Sequence, residues 1–155
     1  MLKLYLEPDL EHCDNGGIRR VVEAQYKYLP ELGIELVTDP LAAEVTAAHV
    51  IGEPKNPKAP FVLHNHGMMW TDYQFPGWAH KVNQDIVVSM RQAYRITSPS
   101  HWVTQAIQRG VYFPIQTIYH GVDIAEWTPG EPGSYVLWNK ARADEVSNPK
   151  DLYEL

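Results

Sequence analysis

Apolar and polar residues along this chain fall into short runs that switch repeatedly between a period of two and a period of 3.6. Residues 2–6 alternate and stop at Glu7-Pro8, which predicts a first strand. A polar loop containing Asp9, Asp14 and Asn15 leads into Gly16-Gly17. From Ile18 the apolar stripe runs through positions 18, 21, 22, 28 and 29, with Gln25 as its one polar interruption. That spacing predicts an amphipathic helix closed by Pro30 and Gly33. Residues 34–37 predict a second strand, and 45–51 a third, weaker one ended by Gly52-Glu53-Pro54. After a proline-rich loop the chain becomes continuously apolar from Pro60 and ends in His64-Asn65-His66-Gly67, the pattern of a central parallel strand. A loop with Trp70, Tyr73, Phe75 and Trp78 follows, then apolar positions 79, 82, 86, 90 and 93 of a second amphipathic helix. Residues 95–98 read as a short strand, and Ser100 caps a helix that runs to Arg109 and stops at Gly110. Residues 115–119 form one more strand, which enters His120-Gly121-Val122-Asp123.

Strands alternating with helices predict an α/β fold, a Rossmann-like parallel sheet with helices on both faces. Composition divides the chain into a domain over residues 1–128, a Pro/Gly-rich linker over 129–134, and the start of a second, truncated domain over 135–155. With 13 Lys and Arg against 19 acidic residues and a net charge of -6, the chain lacks the basic face expected of a nucleic-acid binder. The single cysteine, Cys13, excludes an internal disulfide. No apolar run approaches the roughly 18 residues of a membrane span, and the first residues lack the apolar core of a signal peptide, so a cytoplasmic location is expected. Cys13 lies just ahead of a helix N-terminus, a place that lowers a thiol pKa, but no base or orienting partner can be assigned to it.

Four segments, in this order, resemble the family 4 glycosyltransferases, retaining enzymes of the GT-B fold built from two facing Rossmann-like domains. They are the strand–loop–Gly16-Gly17–helix unit, the strand ending His66-Gly67, the stretch Ile96-Thr97-Ser98-Pro99-Ser100-His101-Trp102, and Ile118-Tyr119-His120-Gly121-Val122-Asp123 with Trp127 and Pro129. The last is the most specific. The resemblance implies transfer of a sugar from a nucleotide-diphosphate sugar to an acceptor, with the acceptor on this domain and most of the donor on the second. No separate cofactor is implied. The glutamates that hold the donor in the family have no counterpart in this chain, so the resemblance also implies a domain inactive by itself and, with its partner face bare, inclined to self-associate.

By that resemblance His66, at the carboxyl end of a central strand, would lie against the donor sugar and act as the catalytic-site histidine. Gly16 and Gly17 open a helix, where free N–H groups and the dipole suit a phosphate, and the resemblance implies that this loop faces the donor diphosphate or the acceptor. Lys140 and Arg142 follow the last predicted strand, where the family has a Gly-Arg pair and, a few residues on, a lysine that hold the donor phosphates. Here Trp138-Asn139-Lys140-Ala141-Arg142 follows the strand in a match that admits more than one register, and Ser147 stands near the lysine's place. On the acceptor side stand Arg19 in the first helical turn, Glu53 at a strand end, and the rings of Trp70 and Tyr73, which can stack on sugar faces. The same aromatic loop offers a surface for peripheral membrane contact, but no basic cluster accompanies it. His64 and His66 alternate on one strand like a metal pair, yet the sequence shows no H-E-x-x-H, no nearby carboxylate and no second His or Cys cluster, so no metal is expected. A non-catalytic Rossmann-like binding module is the alternative reading. A nucleotide-sugar epimerase would require the G-x-G-x-x-G fingerprint, which is missing.

Overall fold

The computed structural model describes residues 1–14, 16–69, 77–125, 130 and 133. Six strands form one sheet: β1 (Leu2–Glu7), β2 (Ile34–Leu36), β3 (Val45–His49), β4 (Phe61–His64), β5 (Arg95–Ser98) and β6 (Ile115–Thr117). Every pairing is parallel, in the order β2-β1-β3-β4-β5-β6. The helices are α1 (Gly17–Tyr28), α2 (Gly77–Gln92) and α3 (His101–Gln108). The predicted α/β architecture is therefore what the chain adopts. Residues 126–129, 131–132 and 134–155, which hold most of the expected linker and second domain with Lys140 and Arg142, lie outside the described residues, as do Trp70, Tyr73 and Phe75. Trp78, expected in the aromatic loop, belongs instead to the first turn of α2.

Handedness explains why helices cover both faces. A crossover between parallel strands is right-handed, so the face its helix occupies depends on the direction in which the chain moves along the sheet. From β1 the chain moves outward to β2 and places α1 on one face. From β3 onward it moves the other way through β4, β5 and β6, and α2 and α3 pack on the opposite face. The reversal falls between β1 and β3, the place where open parallel sheets leave a crevice at their carboxyl edge.

Strand alternation then sorts the side chains. Ala48, Phe61, Leu63 and Ile96 point to the α2/α3 face and pack with Ile86, Met90, Val103 and Ile107; Leu63 and Ile107 are wholly inaccessible. Leu6, Val22 and Cys13 form a smaller cluster beneath α1, with Ile18, Tyr26 and Ala47 against it. Burying each large aliphatic side chain contributes roughly 1.5–3 kcal/mol. The alternate residues of β3 and β4, His49 and His64, are left on the α1 face. The caps follow the sequence: Ser100 accepts a hydrogen bond from the Val103 amide at 3.2 Å, and Gly33 takes the left-handed conformation that ends the segment after α1.

The exit from β3 is unusually tight. The Ile51 amide donates to the His49 carbonyl at 2.8 Å around Val50, whose φ is +67°. This is a γ-turn in a region that a β-branched residue rarely enters. Gly52 follows, its amide donating to Ser89 Oγ at 3.0 Å. A Cβ placed there would meet the Ala48 Cβ at 2.4 Å and the Phe61 ring at 3.4 Å. Because Ala48 has no flexible end to move, Gly52→Ala should destabilise the fold by about 1–3 kcal/mol, the usual range for overpacking. Urea unfolding of Gly52→Ala beside Gly110→Ala, whose added Cβ meets nothing within 4 Å, checks this; equal effects of the two would contradict the packing.

Candidate functional site

The sheet register assembles the site. β3 and β4 pair so that His49 stands directly opposite His64, and His64 in turn stands opposite Thr97 on β5. These three residues share the α1 face at the carboxyl edge. His66 follows two residues after His64, and Gly67 beyond it has φ +131°, a backbone value that side chains with a Cβ rarely adopt. His120 arrives from the segment after β6. The result is a cluster of four imidazoles: ring centroids of His64 and His66 lie 4.7 Å apart, and those of His66 and His120 5.4 Å.

Hydrogen bonds fix the cluster in detail. Gln25 of α1 places Oε1 2.8 Å from His49 Nε2. An amide oxygen only accepts, so His49 carries its proton on Nε2 and presents a bare Nδ1. His66 Nε2 lies 2.9 Å from that Nδ1 and donates to it. On the other side, His64 Nδ1 is 2.6 Å from Thr97 Oγ1 and His64 Nε2 is 2.9 Å from His120 Nε2. Burial, reinforced by the neighbouring rings, lowers His49 and His64 to about 4 and His66 to about 3; burial also lowers His120. At neutral pH these imidazoles are uncharged.

A groove of about 1120 Å³ runs along α1, floored by Leu6, Ala47 and Val62 and bounded by residues 118–124. His49, His64 and His120 line it, as does Gly17, whereas His66 reaches it through its bond to His49 and its ring contacts with His64 and His120. The far wall is tied to α1 by Asp123, which accepts from the Tyr28 hydroxyl and from Lys27 Nζ at 3.1 Å. The Tyr28 hydrogen bond, with help from the Ala125 amide and Lys27, holds the Asp123 carboxyl down at about 2.

Other sequence candidates fall elsewhere. Gly16 is the residue that caps α1, its carbonyl accepting from the Arg20 amide at 3.3 Å. Arg19 is engaged within its own surroundings, donating to Glu23 at 2.9 Å and to the carbonyls of Leu10 and Cys13 at 3.1 and 2.9 Å. It braces the loop ahead of α1. Glu53 lines a second cleft of about 810 Å³, which shares His49 with the groove, and is paired with Lys55 at 3.0 Å. The expectation of a lowered thiol pKa at Cys13 is corrected: the residue is buried under α1, and burial pushes the thiol up. His64 turns towards β5, as a packed residue would, but it also belongs to the imidazole cluster. The sequence reading found no further histidine cluster beside His64 and His66. It missed His49 and His120, which are distant in sequence and adjacent only through strand pairing.

A scan against models of known protein families finds no match to this chain. A search of curated proteins finds none either.

The imidazole cluster makes stability depend on pH. For His49, His64 and His66 the folded pKa values lie below the unfolded value of 6.5. Between pH 6.5 and about 4 the unfolded chain therefore binds more protons, and stability falls as the pH falls through that window. Exposed His12, raised by its hydrogen bond to Asp9, works weakly in the opposite direction. Urea midpoints measured from pH 7.5 to 4.5 should decline steadily below 6.5. A flat profile would contradict the buried, neutral state of the cluster.

Proposed function

We propose that this domain serves sugar transfer from a nucleotide-diphosphate sugar, supplying the acceptor-side wall and the histidine edge of the reaction site. The observation that carries the reading is the convergence of His49, His64, His66 and His120 at the carboxyl edge beside the sheet's reversal point, next to a groove large enough for a glycan-sized ligand. Two of the four segments that resemble the family 4 glycosyltransferases, the strand ending His66-Gly67 and the His120-Gly121-Val122-Asp123 stretch, meet there. Thr97 of the third stands beside His64 and lines the same groove, as does Gly17 of the first.

In this reading the groove takes the acceptor, with His64 and His120 among its polar contacts beside Gln25, Tyr28 and Thr97. Uncharged imidazoles suit sugar hydroxyls, because each ring offers one donor and one acceptor without the desolvation penalty of a charge. His66 is assigned to the donor sugar, with His49 and Gln25 holding its ring in one orientation. Its task is to place a hydrogen bond that strengthens as the anomeric centre gains positive character and the diphosphate departs. Gly16 and Gly17 offer amides to the donor phosphates at the N-terminus of α1. Lys140 and Arg142 would add positive charge for the same phosphates.

The test uses a form of the protein that carries a donor-binding domain after residue 134, assayed with nucleotide-diphosphate sugars and simple glycoside acceptors. Replacing His66 by alanine should lower kcat by roughly a hundredfold, as expected for one lost charge-positioning hydrogen bond, while donor KM changes only a few-fold. His80→Ala, on the exposed side of α2, should leave both constants unchanged. Equal kcat for the two variants would remove His66 from the site. Glycoside binding without any transfer would favour the binding-module alternative.

A further inference from the structure

Three of the four clustered histidines have the arrangement of a ligand set, and this observation stands whether or not the domain transfers sugars. We propose that His49, His64 and His66 bind one divalent transition-metal ion of the zinc type, with His120 closing the fourth position.

The geometry comes first. One ligating nitrogen each from His49, His64 and His66 lie within 4.8 Å of one another. Two contacts are closer still, at 2.9 Å: His49 Nδ1 to His66 Nε2, and His64 Nε2 to His120 Nε2. Zinc–imidazole bonds of about 2.0–2.1 Å set ligand nitrogens roughly 3.3–3.4 Å apart around a tetrahedral centre. To admit the ion the two close pairs must open by about half an ångström, and the remaining pairs among the three, all within 4.8 Å, must close by at most about 1.4 Å.

The surroundings fit as well. Metal-bound histidines hold their second nitrogen with a hydrogen-bond partner, which fixes tautomer and ring plane. Gln25 does this for His49, leaving Nδ1 facing the cluster, and Thr97 does it for His64, leaving Nε2 facing the cluster. Both supports come from other elements, α1 and β5, so the rings are held from outside and converge inward. The backbone is also set: the strained γ-turn at Val50 follows His49 directly, and strain of this kind concentrates at functional sites, while Gly67 after His66 takes a positive φ open to glycine. An all-imidazole set selects zinc, copper, nickel or cobalt over magnesium and calcium, which prefer oxygen. Three fixed ligands plus a more exposed fourth on a separate segment resemble catalytic rather than closed structural sites, since His120 can yield its place to an incoming oxygen. A metal on His66 Nε2 would also force the proton of that ring onto Nδ1 and make the free nitrogen a donor.

The experiment is direct titration of the 155-residue chain, stripped with a chelator, with cobalt(II) and zinc(II) alone. Cobalt should give the intense visible absorption of a four-coordinate site, saturating at one ion per chain, and zinc should displace it. Zinc should also raise the unfolding temperature in a concentration-dependent manner. His49→Ala and the His64→Ala/His66→Ala pair should abolish the spectrum. Gln25→Ala leaves all ligands in place and should weaken affinity about 10- to 100-fold, the usual effect of removing a histidine's outer partner. His12→Ala, at the exposed Asp9–His12 pair, should change nothing. Absence of saturable cobalt binding by the folded chain overturns the site, as does binding that survives His49→Ala or is lost with His12→Ala. Should the histidine variants fail to fold, the Gln25→Ala affinity decides: an unchanged value refutes the proposal.

Discussion

The site depends on one constraint, the parallel register that sets β3 against β4. Because side chains alternate with a strict period of two, a shift of one residue would send His49 to the opposite face while His64 stayed. As paired, Ala48 and Leu63 fill the core under α2 while His49 and His64 are displayed together under α1. The same register places Thr97 beside His64. Packing on one face thus enforces polar convergence on the other, and the apolar core is what holds four imidazoles in contact.

Four imidazoles packed together would repel strongly if charged, and burial makes charging harder still. The cluster exists because each ring can be neutral and still satisfied. Gln25 accepts from His49, His66 donates to His49, and Thr97 meets His64. A buried polar network of this kind is stable only when its members are paired, and it then specifies one arrangement. The reversal of chain direction between β1 and β3 supplies the remaining ingredient, an open edge where a ligand can approach. Asp123, joined to Tyr28 and Lys27, keeps the segment carrying His120 close to α1.

Much of this was legible in the sequence, for physical reasons. Hydrophobic period and turn residues located the six strands and three α-helices of the described residues, since burial of one face leaves its mark on local order. His66 stood out because it ends an apolar run. What the sequence did not disclose was partnership across distance. His49 ends a weak strand, and nothing local ties it to His64. Gln25 was the visible clue: a polar residue on an otherwise apolar helical stripe marks a place where the buried face meets something polar, and that something is His49. Cys13 illustrates the reverse error, since proximity to a helix N-terminus in sequence does not outweigh burial in the fold. Arg19 fits both an acceptor contact and a helix-face charge by sequence alone; in the fold its guanidinium bonds Glu23 and two loop carbonyls.

The central claim is that the histidine edge is an ordered, uncharged hydrogen-bonded set rather than a collection of independent surface rings. Long-range proton–nitrogen NMR of the imidazoles, recorded at pH 6 with a chelator present, reads this directly. The account predicts neutral rings for His49, His64 and His66, with His49 in the single Nε2–H tautomer that Gln25 requires, while His12 beside Asp9 is protonated. Rings that exchange between tautomers and titrate together near 6.5 would contradict it.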